Sequence, residues 1–184
     1  MTRIHGLLLA LALVGVFSPP GSAAAKAVPD RNYPPVLVSF APDGGSGPIN
    51  QWATFPTVYR DRNGARNLAV VQFLLNYTDD AFHGLNTIYD EDHNRLYLRN
   101  PNNSSTVGSC IPGQNKRLST TYIRLDCRNT TVTRAGKTLT VAWRVMLLRP
   151  LSETYGTYNA YLFAVDAANA QVGYTKKGTW TLNP

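Results

Sequence analysis

The chain has 184 residues and a formal charge of +7, from 18 lysines and arginines against 11 carboxylates. The cations are scattered, with no Lys/Arg run of the kind that marks a nucleic-acid-binding arm, so nucleic acid is not an expected partner. Glutamate occurs only at Glu91 and Glu153 while Thr, Val, Tyr, Asn and Gly abound, which points away from surface helices and toward strands and turns.

Residues Met1–His5 carry one cation, Arg3, ahead of the apolar run Gly6–Phe17 and the small-residue stretch "SPPGSAAAKA". A run this short cannot span a bilayer, which takes about 20 residues, so residues 1–25 are expected to be a secretory signal peptide. The expected destination is extracellular, the cell surface or the periplasm, with no transmembrane segment in the mature chain. Lys26–Pro35 is proline-rich and reads as an extended leader. The remainder, 36–184, is about the size of one domain.

Within it, Val36–Phe40 reads as a first strand and "APDGGSGPIN" as a loop. "QWATFPTVYR" reads as a strand whose Pro56 argues for an edge position or a bulge. A turn at Asn63-Gly64 leads into "NLAVVQFLLNY", apolar on both faces as a central strand would be. Two strands flank the turn Asp90–Asn94, and the loop "NPNNSSTVGS" follows. "RLSTTYIRLDC" is then a strand, and a hairpin turns through Arg134–Lys137. In its second arm Leu139, Val141, Trp143, Val145 and Leu147 alternate with polar or small residues. "YNAYLFAVDAANAQVG" and "GTWTL" form the last pair. About nine short strands without an amphipathic helix predict an all-β sandwich with Greek-key connections.

Both cysteines lie in "VGSCIPGQNKRLSTTYIRLDC". The Cys and His present lack the spacing of a zinc site, and no CxxC motif occurs. In an oxidising compartment the pair Cys110–Cys127 is expected to be a disulfide. Cys127 shares a strand face with Thr121, Ile123 and Leu125.

The stretch "YNAYLFAVDAANAQVG" resembles the late strand of fibronectin type III domains, with Tyr161, Val165, Ala167, Asn169 and Gly173 filling its frame. The opening "PPVLVSFAPDGGSG" looks like the first strand of bacterial Ig-like repeats. The resemblance implies an Ig-like or type III-like sandwich and makes Tyr161 a tyrosine-corner residue, its hydroxyl bonding back to the backbone. The middle of the chain departs from that pattern: no Trp lies between the two cysteines.

No nucleophile motif is present, and neither glutamate has apolar sequence neighbours that would make it a general acid. The chain is therefore expected to be a non-catalytic module without a cofactor. His83 and His93 lie in loop sequence beside several aspartates but show no ligand spacing. The acidic tip Asp90, Asp92 and Asn94 offers loop oxygens for calcium, as do Asp43, Asp61, Asn63 and Asp166 if one end of a sandwich gathers them. Asn76, Asn102, Asn103 and Asn129 head glycosylation acceptor patterns. Tyrosines give the binding expectation. Tyr97, Tyr155 and Tyr158, beside Asn and Arg, offer flat apolar faces with polar rims, as a sugar platform needs. The expected function is surface or carbohydrate binding, with a polysaccharide as partner. The alternative is a structural or protein-interaction module that engages another surface or secreted protein, and a small enzyme or inhibitor ranks third.

Overall fold

The computed structural model describes residues 31–184; the signal segment and residues 26–30 of the leader lie outside it. The described chain is all-β, two sheets packed face to face. In chain order the strands are β1 (Val36–Phe40), β2 (Gly45–Pro48), β3 (Trp52–Arg60), β4 (Leu68–Asn76), β5 (Leu85–Asp90), β6 (Arg95–Arg99) and β7 (Thr106–Cys110). They continue with β8 (Arg117–Ser119), β9 (Ile123–Asp126), β10 (Thr131–Ala135), β11 (Thr138–Leu147), β12 (Gly156–Asp166) and β13 (Gln171–Asn183). One sheet runs β1-β3-β11-β9-β8, with β10 also on β11; the other runs β2-β13-β12-β4-β5-β6-β7. After the meander β4–β7 the chain crosses to the first sheet, and β12 returns to pair with β4. No helix among the described residues is long and apolar enough to cross a membrane.

The thirteen strands exceed the expected nine because several loop-like stretches pair. β2 is the clearest case: "GSGP" has no strand propensity, yet it runs parallel to the end of β13. Its glycines explain this. A Cβ on Gly45 would lie 2.6 Å from the Trp180 indole and one on Gly47 3.0 Å from it, so only glycine lets this backbone lie on the ring. β7 likewise takes up the end of "NPNNSSTVGS" and runs on to Cys110. The expected single strand over "RLSTTYIRLDC" is instead β8 and β9, because the Thr120 hydroxyl accepts the Tyr122 and Ile123 amides and turns the chain. The last turn falls at Ala167–Ala170, earlier than expected, because the buried Asp166 carboxylate accepts the Ala168 and Ala170 amides there.

Pro56 does not mark an edge, since β3 lies between β1 and β11. Its carbonyl accepts the Ala41 amide on the β1 side, just past the last registered pair Phe40↔Thr57. A strand residue's N–H and C=O point the same way, so the donor that proline lacks faces the side where β1 is ending. The leader's end is also tied down: Asn32 donates to Asp166, and the Tyr33 amide to Asn63.

The core follows the period-two pattern. Leu139, Val141, Trp143, Val145 and Leu147 of β11 all point inward and are buried. Phe40, Phe55, Phe73 and Trp180 form an aromatic cluster, with centroids 5.0–5.7 Å apart. Two polar groups between the sheets are paired: the Trp143 indole N–H donates to Thr57 Oγ1 at 2.9 Å, and Tyr59 donates across the sandwich to the Gln72 carbonyl at 2.9 Å.

Three core tyrosines, Tyr59, Tyr89 and Tyr158, have phenols pushed well above their ordinary range, chiefly by burial. Each holds its proton more tightly folded than unfolded. The stability they contribute is therefore complete below an unfolded tyrosine's pKa of about 10 and is lost as pH rises beyond it. With three groups the slope reaches about 4 kcal/mol per pH unit. Thermal melts should be level up to roughly pH 9 and fall steeply above about pH 10; melts still level at about pH 11.5 would contradict this burial.

Candidate functional site

β12 decides where the late tyrosines go. Tyr158, Ala160, Leu162 and Ala164 point inward and are fully buried, so Tyr161 and Phe163 point outward. Tyr158 therefore leaves the expected sugar platform. Its ring packs on Tyr77 at 4.8 Å, and its hydroxyl accepts the Leu151 amide at 3.0 Å and meets the Thr154 carbonyl. This is the bond back onto upstream backbone that the resemblance assigned to Tyr161. Tyr161 is half-buried on the outer face instead, where its hydroxyl reaches only the Tyr77 carbonyl at 3.5 Å and the Asn159 amide at 3.2 Å. Tyr155 is exposed in the loop before β12, apart from Tyr97 on β6, and neither stacks on another ring among the described residues.

The acidic tip does not gather oxygens for an ion. Asp90 Oδ2 lies 2.8 Å from His93 Nδ1, Asn94 Oδ1 lies 2.9 Å from the Tyr89 hydroxyl, and Asp92 is exposed. Among the described residues no group of three or more His, Cys, Asp and Glu is arranged to hold a metal. Three of the four loop oxygens do meet at one end, where Asn67 donates to Asp61 and Asn32 to Asp166, with Asn63 bound to Tyr33. Asp43 is elsewhere, capping Thr179. These carboxylates act as turn and end caps. His83 is stacked between Phe82 and Tyr122, at 4.0 and 5.4 Å. Asn76 is buried, with its amide nitrogen donating to the Asp80 and Phe82 carbonyls, and is closed to a glycan.

Glu91 was the residue least legible in the sequence. It lies in an acidic run yet is buried, and Arg134 of β10 grips it from the other sheet, Nε–Oε1 at 2.7 Å and Nη2–Oε2 at 2.5 Å. The Tyr89 hydroxyl completes the clamp, donating to Oε2 at 2.9 Å and meeting Arg134 Nη2. Glu91 holds the guanidinium above its usual range, while burial and then Glu91 push the Tyr89 phenol up. This pairing fastens the two sheets; it leaves no free acid.

Cys110 and Cys127 are bonded, S–S 2.02 Å, and both are buried. Cys110 ends β7 at the edge of the seven-stranded sheet, and Cys127 follows β9 in the other, so this bond too crosses the sandwich.

One surface that carries binding chemistry is the outer face of the seven-stranded sheet. The register sets Tyr161, Leu74 and Asn86 in one row across β12, β4 and β5, and Phe163, Gln72, Ile88 and Tyr97 in the next across β12 to β6. Tyr174 of β13 folds over this face. Its ring packs on Phe163 at 5.5 Å, and its hydroxyl donates to Gln72 Oε1 at 2.6 Å and accepts from Asn86 Nδ2 at 3.1 Å. The rows thus hold half-buried aromatic rings interleaved with amides.

Two buried polar atoms on this face, Asn86 Oδ1 and Arg99 Nε, have no partner among the described residues. Thr87 pairs with Leu98, so the next antiparallel position sets Asn86 opposite Arg99. Unpaired buried polar atoms are costly. One hydroxyl would serve both, accepting from Arg99 Nε–H and donating to Asn86 Oδ1. Of the three tyrosines expected to form a platform, only Tyr97 belongs to this face; Tyr161, expected as a corner residue, lies on it too. Tyr161, Phe163 and Tyr174 were legible only once strand parity was known.

No family model, curated protein or solved structure matches the chain.

Proposed function

We propose that the protein is a secreted, non-catalytic carbohydrate-binding module of Ig-like or fibronectin III-like type, with its sugar site on the outer face of the seven-stranded sheet. The observation that carries this reading is the meeting of outward rings, Tyr97, Tyr161 and Phe163, with the unpaired acceptor of Asn86 and donor of Arg99. Rings give apolar faces for a sugar's C–H surface, and the donor–acceptor couple matches a hydroxyl, which is both at once. The signal-like leader and the buried inter-sheet disulfide support export. The Ig-like assignment is supported by Tyr158, whose hydroxyl turns back onto Leu151 and Thr154 in the manner of a tyrosine corner, and by the return of β12 to β4.

Titration calorimetry with neutral oligosaccharides, chosen by retention on insoluble glycans, tests this. Tyr97→Ala and Tyr161→Ala should each weaken binding about tenfold, the equivalent of about 1.4 kcal/mol. Both side chains face outward and are half-buried, so melting should shift by less than about 4 °C. Unchanged affinity in both variants would overturn the site. The alternative protein-interaction role would then lead, favoured by the exposed Val36 and Val38 on edge strand β1.

A further inference from the structure

The opposite face of the sandwich carries a separate feature. Trp52 opens β3 on the outer side of the six-stranded sheet, and two guanidinium groups flank its ring: Arg117 Cζ 5.5 Å and Arg144 Cζ 6.0 Å from the centroid. Arg144 also donates to Thr54 Oγ1 at 2.9 Å. Arg124 joins them, because Met146 pairs with both Trp52 and Arg124 across neighbouring strands. None of the three arginines forms an ion pair among the described residues, where the pairs found involve Arg66, His93 and Arg134. One carboxylate lies in their midst, Asp126, opposite Arg117. It is buried and taken up by the Arg128 amide and the Asn129 side chain, so the arginine face keeps a net positive charge.

Beside this face a cavity of about 180 Å³ opens between the sheets. Trp52, Trp180, Pro42 and Pro48 give it apolar walls, and Gln51 and Thr54 give it polar ones. Trp52 and Thr54 thus belong both to the cavity wall and to the arginine face.

We infer that this side of the molecule is a second binding site, for a chain of anionic sugars. The cavity, of a size for one ring and walled by indoles and prolines, takes a sugar unit. The arginines beside it, on adjacent strands about 4.8 Å apart, take the carboxylates or sulfates of neighbouring units as charge-assisted, bidentate contacts. Nucleic acid fits less well, because single strands need several rings for successive bases and this face offers one, Trp52. The site shares no residue with the neutral-sugar face on the other sheet, so the two readings stand or fall separately.

The test is calorimetry of the full chain with oligogalacturonate, heparin oligosaccharide, neutral dextran and single-stranded DNA at low and moderate salt. Oligogalacturonate or heparin should bind, the preferred one identifying the anion, and dextran should not. Trp52→Ala and the double variant Arg117→Gln/Arg144→Gln should each cost about tenfold or more. Arg62→Gln/Lys137→Gln removes the same charge at the far end of β3 and β11 and should change affinity less than about twofold. Tyr97→Ala and Tyr161→Ala should leave it unchanged. Equal losses in the two double variants would reduce the effect to net charge and overturn the site. No binding of either anionic glycan, or DNA bound at least as tightly as they are, would overturn it too.

Discussion

Arg134→Ala should lower stability by about 3 kcal/mol, and the melting temperature by about 6–12 °C. The loss comes less from the missing contact than from what stays behind. Glu91 keeps a carboxylate whose side chain is only 3 % exposed, and the Tyr89 hydroxyl beside it cannot neutralise the charge. Arg66, 3.9 Å from Oε1, is largely solvent-exposed and offsets little of it. Removing both charges together is expected to cost far less: in Glu91→Leu/Arg134→Leu no ion is left buried, and apolar replacement of a buried pair is often close to neutral. The signature is thus strong non-additivity, with the double variant more stable than Arg134→Ala. Thermal melts of the three variants decide it. Additive losses, or a single-variant loss below about 1 kcal/mol, would mean the clamp is an ordinary surface pair.

The second large effect is the disulfide. Its cysteines are separated by 17 positions, and closing a loop of about this length is worth about 3 kcal/mol in the chain-entropy account. Reduction, or Cys110→Ala/Cys127→Ala, should therefore lower the melting temperature by about 6–12 °C. The bond ties β7 to the other sheet, and β7 pairs with β6, which carries Tyr97 and Arg99. Loosening that edge should weaken sugar binding at its Tyr97 end more than at Tyr161 on central β12. A reducing agent that leaves the melting curve unmoved, in a sample whose thiols are shown to be free, would remove the staple from the account.

What the sequence disclosed depended on how local the physics was. β11 was legible because its five inward residues repeat at period two against polar neighbours, and β4 because its apolar run needs cover on both faces. Leu74 is buried on the outer side, in the row between Tyr161 and Asn86. The late tyrosines were not legible. Tyr158 and Tyr161 differ by an odd number of positions, so they fall on opposite faces, and nothing local says which face is inside. β2 was invisible because its pairing rests on a tryptophan far along the chain that tolerates only glycine. Glu91 read only as part of the turn Asp90–Asn94 because its partner, Arg134, lies 43 positions away on another sheet. The face proposed to bind sugar was half-hidden for the same reason. Tyr97, Tyr161 and Tyr174 belong to three strands whose order only the tertiary fold establishes.

Residue-resolved NMR of the isotope-labelled chain with neutral oligosaccharides decides whether sugars bind the outer face of the seven-stranded sheet, as proposed. Shifts confined to Gln72, Asn86, Tyr97, Arg99, Tyr161 and Tyr174, with Tyr158 and the Trp52 face silent, are the predicted result. Saturable shifts centred elsewhere, or none with any neutral glycan, would contradict it.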